Sequence, residues 1–320
     1  MSGETPVVRL PIIDFSKHEV KPGSPEWDSV KHQVRQALEE LGCFHFQAML
    51  DQVLDLRKPV LGALEELFHL PLQTKQLYVS DKPFRGYYGV GVASGVAVGQ
   101  ECMVIDDAKL VQNIERGLTT TLWPQGNVSF SKTLVSFTEL ASALEKRIRR
   151  MILEIFGVEK YTDEFIDSTN YLLKVMKYDG SVTGEPSLRA HSDQNLTTIL
   201  YQNEVDGLEI LNKDGQWNRV KLSPNSFIVI IGESLSIWLN GRLCSPYHRV
   251  VMKGNKERYS IGLFAIARGG YQVKVPEELV DDQNALRFKP FDYEDFLRLH
   301  STKVSGGALL GFGLKSFCSV

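Results

Sequence analysis

The chain has 320 residues, 43% of them hydrophobic and 23% charged, which provides for a sizeable core and argues against disorder. Its 36 basic and 39 acidic residues leave a net charge of −3, so nothing favours nucleic acid or an anionic membrane as a partner. No run of eighteen apolar residues occurs, no secretory signal opens the chain, and its four scattered cysteines (Cys43, Cys102, Cys244 and Cys318) form no Cys-x-x-Cys pair; the expectation is a cytoplasmic monomer with reduced thiols, acting on a small molecule.

Residues 7–15, interrupted by Pro11, read as an edge strand. Ser24 and Pro25 open a helix whose apolar residues Val30, Val34, Leu38 and Leu41 keep helical spacing, and Gly42 closes it. A short strand over 43–46 follows, then a helix over about 51–70 that Pro59 should kink. The glycine-rich stretch 85–95 lacks the Gly-Lys-Ser/Thr ending and the strand-to-helix setting of a phosphate loop. A mobile loop that carries aromatic residues near a pocket is the better reading. An amphipathic helix spans about 129–156 and ends at Gly157; its Lys146, Arg147, Arg149 and Arg150 read as a solvated face.

From Tyr171 onward, short runs rich in Ile, Val, Leu and Phe recur between turn signals, at 172–178, 196–201, 208–211, 217–222, 227–231, 235–239, 247–252 and 259–265. Asp214-Gly215 and Asn240-Gly241 are hairpin dipeptides. About eight strands predict a sandwich or jelly roll. A helix near 293–300 and a glycine-containing tail close the chain. The fold class is mixed α+β. A helical region over 1–125 should pack on a β core over 126–320 as one structural unit.

Three residues carry the chemistry. His191 and Asp193 stand two apart in His191-Ser192-Asp193, and His248 follows Ser245-Pro246-Tyr247. Side chains at i and i+2 of an extended segment share a face, so His191 and Asp193 can reach one metal. Two imidazoles and one carboxylate suit divalent iron and leave positions open. Structural zinc would rather use four protein ligands. The remaining histidines (His18, His32, His45, His69 and His300) read as surface or structural residues. Arg258 and Ser260 share a strand face, where a guanidinium fork and a hydroxyl can hold the carboxylate of a co-substrate. The hydroxyl of Tyr178, at the end of the strand with Lys174 and Met176 on the same face, can reach that carboxylate too.

These motifs, with Pro11-Ile12-Ile13-Asp14-Phe15 and Leu41-Gly42-Cys43-Phe44, resemble the plant Fe(II)/2-oxoglutarate-dependent dioxygenases of the isopenicillin N synthase-like superfamily over nearly the whole chain. Val175-Met176-Lys177-Tyr178, Asp206-Gly207-Leu208-Glu209, Asn240-Gly241-Arg242 and Phe288-Lys289-Pro290-Phe291-Asp292-Tyr293 are similar to the branch containing the glucosinolate side-chain (alkenyl and hydroxyalkyl) dioxygenases. The resemblance implies a double-stranded β-helix with flanking helices. It implies Fe(II) on His191, Asp193 and His248. It also implies 2-oxoglutarate with its far carboxylate on Arg258 and Ser260, helped by Tyr178. O2 would split the co-substrate into succinate and carbon dioxide while a small plant metabolite is hydroxylated, desaturated, demethylated or epoxidised, with ascorbate a candidate reductant.

The chain departs from the family pattern in two places. Phe46-Gln47-Ala48 stands where many relatives have Asn-His-Gly, and Met176-Lys177-Tyr178-Asp179 where many have Asn-Tyr-Tyr-Pro. Both changes bear on the substrate and leave the triad intact. The presence of Asp193 argues against halogenation. Candidate substrate contacts are Lys174, Met176, Phe264, Tyr87 and Tyr88, with Lys174 placed to meet an anionic or carbonyl group. Two alternatives stay open here: an iron oxidase of the same family that does not use 2-oxoglutarate, and a non-catalytic metabolite-binding protein on the same fold.

Overall fold

The computed structural model describes residues 5–15, 20–47, 50–89, 99–180, 186–221, 226–305 and 313–320. The expectations for residues 90–95 of the glycine-rich stretch, for the tail at 306–312 and for His18 lie outside them. The first long helix, Pro25–Leu41, begins and ends as its caps predict. Ser24 Oγ accepts from the Trp27 N–H at 3.1 Å, and Gly42 stops the helix at φ 68°. The helices Leu50–His69 and Val128–Ile155 follow, the latter capped by Asn127.

Thirteen of the described strands position the site. They are β1 (Val7–Val8), β2 (Ile12–Asp14), β3 (Cys43–Gln47), β4 (Gly86–Tyr88), β5 (Gln100–Ile105), β6 (Thr169–Tyr178) and β7 (Leu188–His191). After them come β8 (Thr197–Gln202), β9 (Leu208–Leu211), β10 (Trp217–Val220), β11 (Phe227–Ile231), β12 (His248–Val250) and β13 (Arg258–Ala267). They form one sheet in the order β2-β3-β11-β8-β13-β6-β5-β4 and a second in the order β1-β10-β9-β12-β7. The two sheets face each other as a double-stranded β-helix, and side chains from both line the space between them.

The large sheet is buried on both faces. Along β6, Leu172, Lys174, Met176 and Tyr178 point into the space between the sheets. Tyr171, Leu173 and Val175 point the other way, and helix Val128–Ile155 packs on that side of the sheet. The rings of Phe137 on this helix and Phe227 on β11 lie 6.1 Å apart. No helix among the described residues is long and apolar enough to cross a membrane.

Several local expectations are corrected. Residues 7–15 form two strands in different sheets, because Pro11 breaks the run: β1 pairs with β10 and β2 with β3. Residues 86–88 of the glycine-rich stretch are strand β4, paired antiparallel with β5, which composition did not reveal. Residues 235–238 fall in a helix, Glu233–Trp238, whose six side chains are all buried, and Leu239 caps it. A short apolar run does not distinguish buried helix from buried strand. Asn240-Gly241 therefore makes no hairpin. Both residues take positive φ, 53° and 79°, and the Gly241 N–H closes onto Ser236 O at 2.7 Å, as a helix stop. Asp214-Gly215 does turn a hairpin, between β9 and β10.

Arg149 is not part of a solvated face. It is fully buried and grips Glu145 through two bonds, Nε–Oε1 at 2.8 Å and Nη2–Oε2 at 2.5 Å. Its Nη1 donates to Thr169 Oγ1 at 2.5 Å, and Tyr171 donates to Glu145 Oε2 at 2.9 Å. This network ties the long helix to the start of β6. Removing one partner strands a buried charge, so Glu145→Ala should lose about 3–5 kcal/mol of stability in urea unfolding. Glu145→Leu combined with Arg149→Met should recover most of that loss; an unchanged unfolding midpoint in Glu145→Ala would show that the pair is not holding the helix.

Candidate active site

His191 ends β7 and His248 begins β12, and the two strands pair at this position. Their ring centroids lie 4.3 Å apart. Asp193 Oδ1 is 3.7 Å from His191 Nε2 and 3.8 Å from His248 Nε2. One ligand atom from each of the three residues can be chosen so that all lie within 4.8 Å of one another. Among the described residues no other group of three or more His, Cys, Asp or Glu side chains is so arranged.

The main chain orients both imidazoles. His191 Nδ1 lies 2.8 Å from Arg189 O, and His248 Nδ1 lies 3.2 Å from Pro246 O. A carbonyl only accepts, so each Nδ1 carries the proton and each Nε2 turns its lone pair to the centre. Burial, and then the neighbouring His248, pushes His191 down to about 4, which leaves it neutral. Burial opposes the charge on Asp193, but His248, His191 and a hydrogen bond from Thr198 hold its carboxyl below the usual range. Two imidazole nitrogens and an ionised carboxylate turned to one centre are what a three-ligand metal site needs.

The loop carrying Asp193 is pinned by the helix that the sequence reading took for a strand. The Glu233 N–H donates to Asp193 O at 2.7 Å, and the Ser234 N–H to Asn195 O at 3.1 Å. Ser192 Oγ donates to Glu233 Oε1 at 2.6 Å, and Ser234 Oγ to Gln194 O at 2.5 Å. The backbones approach so closely at Gly232 that a Cβ there would sit 1.9 Å from Asn195 O. Thr198 donates to Asp193 Oδ2 at 2.6 Å, and Asn195 Nδ2 donates to Thr198 Oγ1 at 3.0 Å. The chain Asn195–Thr198–Asp193 thus occupies Oδ2 and leaves Oδ1 turned to the two imidazoles.

Arg258 opens β13 at the far end of the same space. It is 1% exposed, and no carboxylate among the described residues forms an ion pair with it. Nη2 donates to Gln202 Oε1 at 2.6 Å and Nη1 to Ser260 Oγ at 3.3 Å, while Nε has no partner. Burial pulls its pKa down, though a guanidinium stays charged. A buried, unpaired guanidinium with an idle donor calls for an anion. Tyr178 sits opposite Arg258 in the strand register, with the guanidinium carbon 5.0 Å from its ring centroid. Its hydroxyl accepts from Gln100 Nε2 at 3.4 Å and donates to Met176 Sδ at 3.5 Å. Gly207 lets the arginine stem pass: a Cβ there would come within 3.2 Å of Arg258 Cδ.

Two adjoining cavities share the triad's edge. The inner one, about 40 Å³, is lined by His191, Asp193, His248, Arg258, Ser260, Tyr178, Met176 and apolar residues of both sheets. The outer one, about 390 Å³, has an apolar wall of Phe84, Val104, Leu172, Phe264, Ile266 and Leu297, with Tyr293 and His300 at its polar points. Lys174, Phe264, Leu188, His191 and Asp193 border both. Of the sequence candidates, Lys174, Met176 and Phe264 therefore line the space. Tyr87 does not: it pairs with Met103, which itself pairs with Val175, so it lies on the opposite face of the sheet, and its hydroxyl donates to Glu101 at 2.6 Å. Tyr88 shares the inward face with Cys102 and Met176 but lines neither cavity. His300, read as surface or structural, borders the outer cavity.

Sequence reading missed Gln202, Thr198, Asn195, Glu233, Arg85 and Tyr293. Alternation along 197–202 would have put Thr198 and Gln202 on one face; the others carry no local signal.

Two family models match the chain: the 2OG-Fe(II) oxygenase superfamily over residues 169–266, and the non-haem dioxygenase in morphine synthesis N-terminal region over residues 10–113. The chain is 46% identical to a probable 2-oxoglutarate-dependent dioxygenase of Arabidopsis thaliana, AOP1.2, over 304 residues, 92% of each chain. It superposes on the rice dioxygenase for auxin oxidation with a TM-score of 0.80 at 25% identity, covering 97% of this chain and 100% of that one. It is also similar to dioxygenase for auxin oxidation 1 of Arabidopsis thaliana in complex with 2-oxoglutarate, with a TM-score of 0.75 at 24% identity over 86% of this chain and 99% of the other.

The hydrogen bond to Asp193 Oδ2 can be tested alone. Thr198→Val keeps the side chain's shape and removes the donor. It should weaken divalent-metal binding by about tenfold or more, as loss of such outer contacts does, and Thr198→Ser should restore it. Calorimetric titration with Co(II) reads both; equal affinity in all three proteins would show that this bond does not position the carboxylate.

Proposed function

This chain belongs to the 2-oxoglutarate- and Fe(II)-dependent oxygenases, and from that premise we propose that it oxidises a small plant specialised metabolite at a centre formed by His191, Asp193 and His248. It is a 2-oxoglutarate-dependent dioxygenase, with Fe(II) and 2-oxoglutarate as its cofactors. The observation that carries the assignment of this pocket is the buried Arg258, which has no counter-ion among the described residues and faces the triad across the inner cavity. A dicarboxylate that chelates a metal at one end and meets a guanidinium at the other fits both features.

In this reading His191 and His248 hold Fe(II) through Nε2 and Asp193 through Oδ1. Bound there, Fe(II) would supply open positions for O2 and the keto acid of 2-oxoglutarate, chemistry in which one oxygen atom goes to succinate, carbon dioxide leaves, and the other oxidises the prime substrate. Asp193 offsets one of the metal's two charges, and the near carboxylate of the co-substrate offsets the other. Arg258 takes the far carboxylate through its planar fork, with Ser260 donating beside it. Gln202 holds the plane of that fork before the co-substrate arrives, so little ordering is left for binding. Tyr178 and Met176 wall this end and keep water from it.

The outer cavity receives the prime substrate, with Phe264 and Lys174 where it meets the triad. Its outcome is hydroxylation, desaturation, demethylation or epoxidation. The unpaired Arg258 favours this reading over an oxidase without 2-oxoglutarate. We place the enzyme in the cytoplasm, a reading supported by four cysteines that are all free, three of them buried, and take it to act as a monomer.

His248→Ala and Asp193→Ala should each abolish turnover and tight Fe(II) binding while circular dichroism stays native; stoichiometric iron and normal activity in His248→Ala would end the assignment. Arg258→Ala removes one partner of a buried pair, a change worth about 3–5 kcal/mol, and should raise the 2-oxoglutarate requirement by about two orders of magnitude or more. The apparent KM for 2-oxoglutarate is the check, and an unchanged value would return the oxidase reading.

A further inference from the structure

Lys174 is the charged side chain left over in the active space. It stands in the middle of β6, in register with Val104 on one side and with Gly262 on the other. It borders both cavities, so its side chain lies where they meet beside His191 and Asp193. Among the described residues its ammonium has no ion pair and no hydrogen bond; it lies over the ring of Phe264, with Nζ 5.6 Å from the centroid, and its charge helps to hold the Asp193 carboxyl down. Gly262 makes the room for that arrangement, since a Cβ there would come within 2.8 Å of Phe264 Cε2.

The other cation of the outer cavity is already satisfied. Arg85 donates to Asp106 at 3.2 Å, Glu294 at 3.1 Å and Pro83 O at 3.0 Å. Asp106 is shared with Lys82, so this cluster is neutral as a whole. Tyr293 is buried, which pushes its hydroxyl up and keeps it uncharged. Among the described lining residues, the charges still to be matched are Lys174, Arg258 and Asp193. Fe(II) and the 2-oxoglutarate dianion cancel each other when both are bound. Asp193 then offsets one of the two remaining cations, and a single positive charge persists at the junction with the outer cavity. An ammonium that faces an apolar wall without a counter-ion is matched by an anion.

We propose that the prime substrate is an organic monoanion, an apolar body ending in one carboxylate, with the charged end on Lys174 and the body against Phe84, Leu172, Phe264, Ile266 and Leu297. The proposal rests on the dioxygenase reading of the triad and of Arg258, and it adds the charge and shape of the substrate. The anion brings the total in the active space to zero. Its neighbour on the chain is the carbon brought closest to the triad, so oxidation falls near the carboxylate end of the body.

The test uses the full chain loaded with Fe(II) and saturating 2-oxoglutarate under nitrogen, which permits binding without turnover. Matched acid and amide pairs (benzoate and benzamide, hydrocinnamate and its amide, octanoate and its amide) are titrated by calorimetry. At least one acid should bind about tenfold or more tighter than its amide, a difference of about 1.4 kcal/mol. The preference should disappear in Lys174→Met and persist in Lys174→Arg. Amides that bind as well as acids, no binding by any acid, or a preference that survives Lys174→Met would each overturn the proposal. Acid binding that fades as 2-oxoglutarate is raised would place the acid on Arg258 and overturn it too. Wild-type protein that takes up neither Fe(II) nor 2-oxoglutarate in the loading step would instead sink the underlying reading.

Discussion

Strand β13 is hydrogen-bonded to β6 on one side, from Arg258 opposite Tyr178 to Ala267 opposite Thr169, and to β8 on the other. Its inward positions begin with Arg258, Ser260, Gly262 and Phe264. They supply a cation, a hydroxyl, a gap and an aromatic wall, and the partners in register are Tyr178, Met176, Lys174 and Leu172. A slip by one residue would turn all of them to the opposite face, among the core packing of the helices. The anion pocket, the junction beside the triad and the wall of the outer cavity are thus one consequence of a single strand register. The network of Arg149, Glu145, Thr169 and Tyr171 fastens that register at one end, where the long helix meets β6.

The second sheet carries the imidazoles, and a different device holds the carboxylate between them. The loop after β7 is irregular, so its backbone groups need partners outside the ladder. Helix Glu233–Trp238 supplies them from its first turn, where N–H groups are free by geometry. A helix start aimed at Asp193 O and Asn195 O, with hydroxyls of Ser192 and Ser234 closing the remaining gaps, turns a loop into a rigid mount. Gly232 is what allows the two backbones to come so near.

Much of this was legible because it is written locally. The spacing of His191 and Asp193, the position of His248 at a strand start, and Arg258 with Ser260 are all patterns within a few residues. The caps of Pro25–Leu41 are equally local. What escaped depends on distant pairings. Gln202 matters because β8 lies beside β13, and Tyr293 because the C-terminal helix Tyr293–Ser305 reaches the cavity. Tyr87 and Tyr88 are equivalent as letters in a glycine-rich run, yet pairing with β5 turns Tyr87 away and Tyr88 inward. Arg149 was hidden by its basic neighbours, although Glu145 four residues earlier, with Ile148 and Ile152 also buried, marks that helix face as interior. Helix Glu233–Trp238 is only six residues long, and its polar Glu233, Ser234 and Ser236 are buried along with the apolar ones, so no solvated face sets a helical period.

Both imidazoles take their orientation from peptide carbonyls, those of Arg189 and Pro246. Every amino acid brings the same carbonyl, so a substitution at either position leaves the acceptor in place as long as the chain keeps its path. The tautomers at this centre are therefore insulated from mutational drift in their surroundings. The walls of the outer cavity have no such protection, since each contact there belongs to one side chain. Selection can rewrite what this pocket admits while the ring nitrogens stay aimed, and divergence among chains of this kind should collect in the walls and spare the mount.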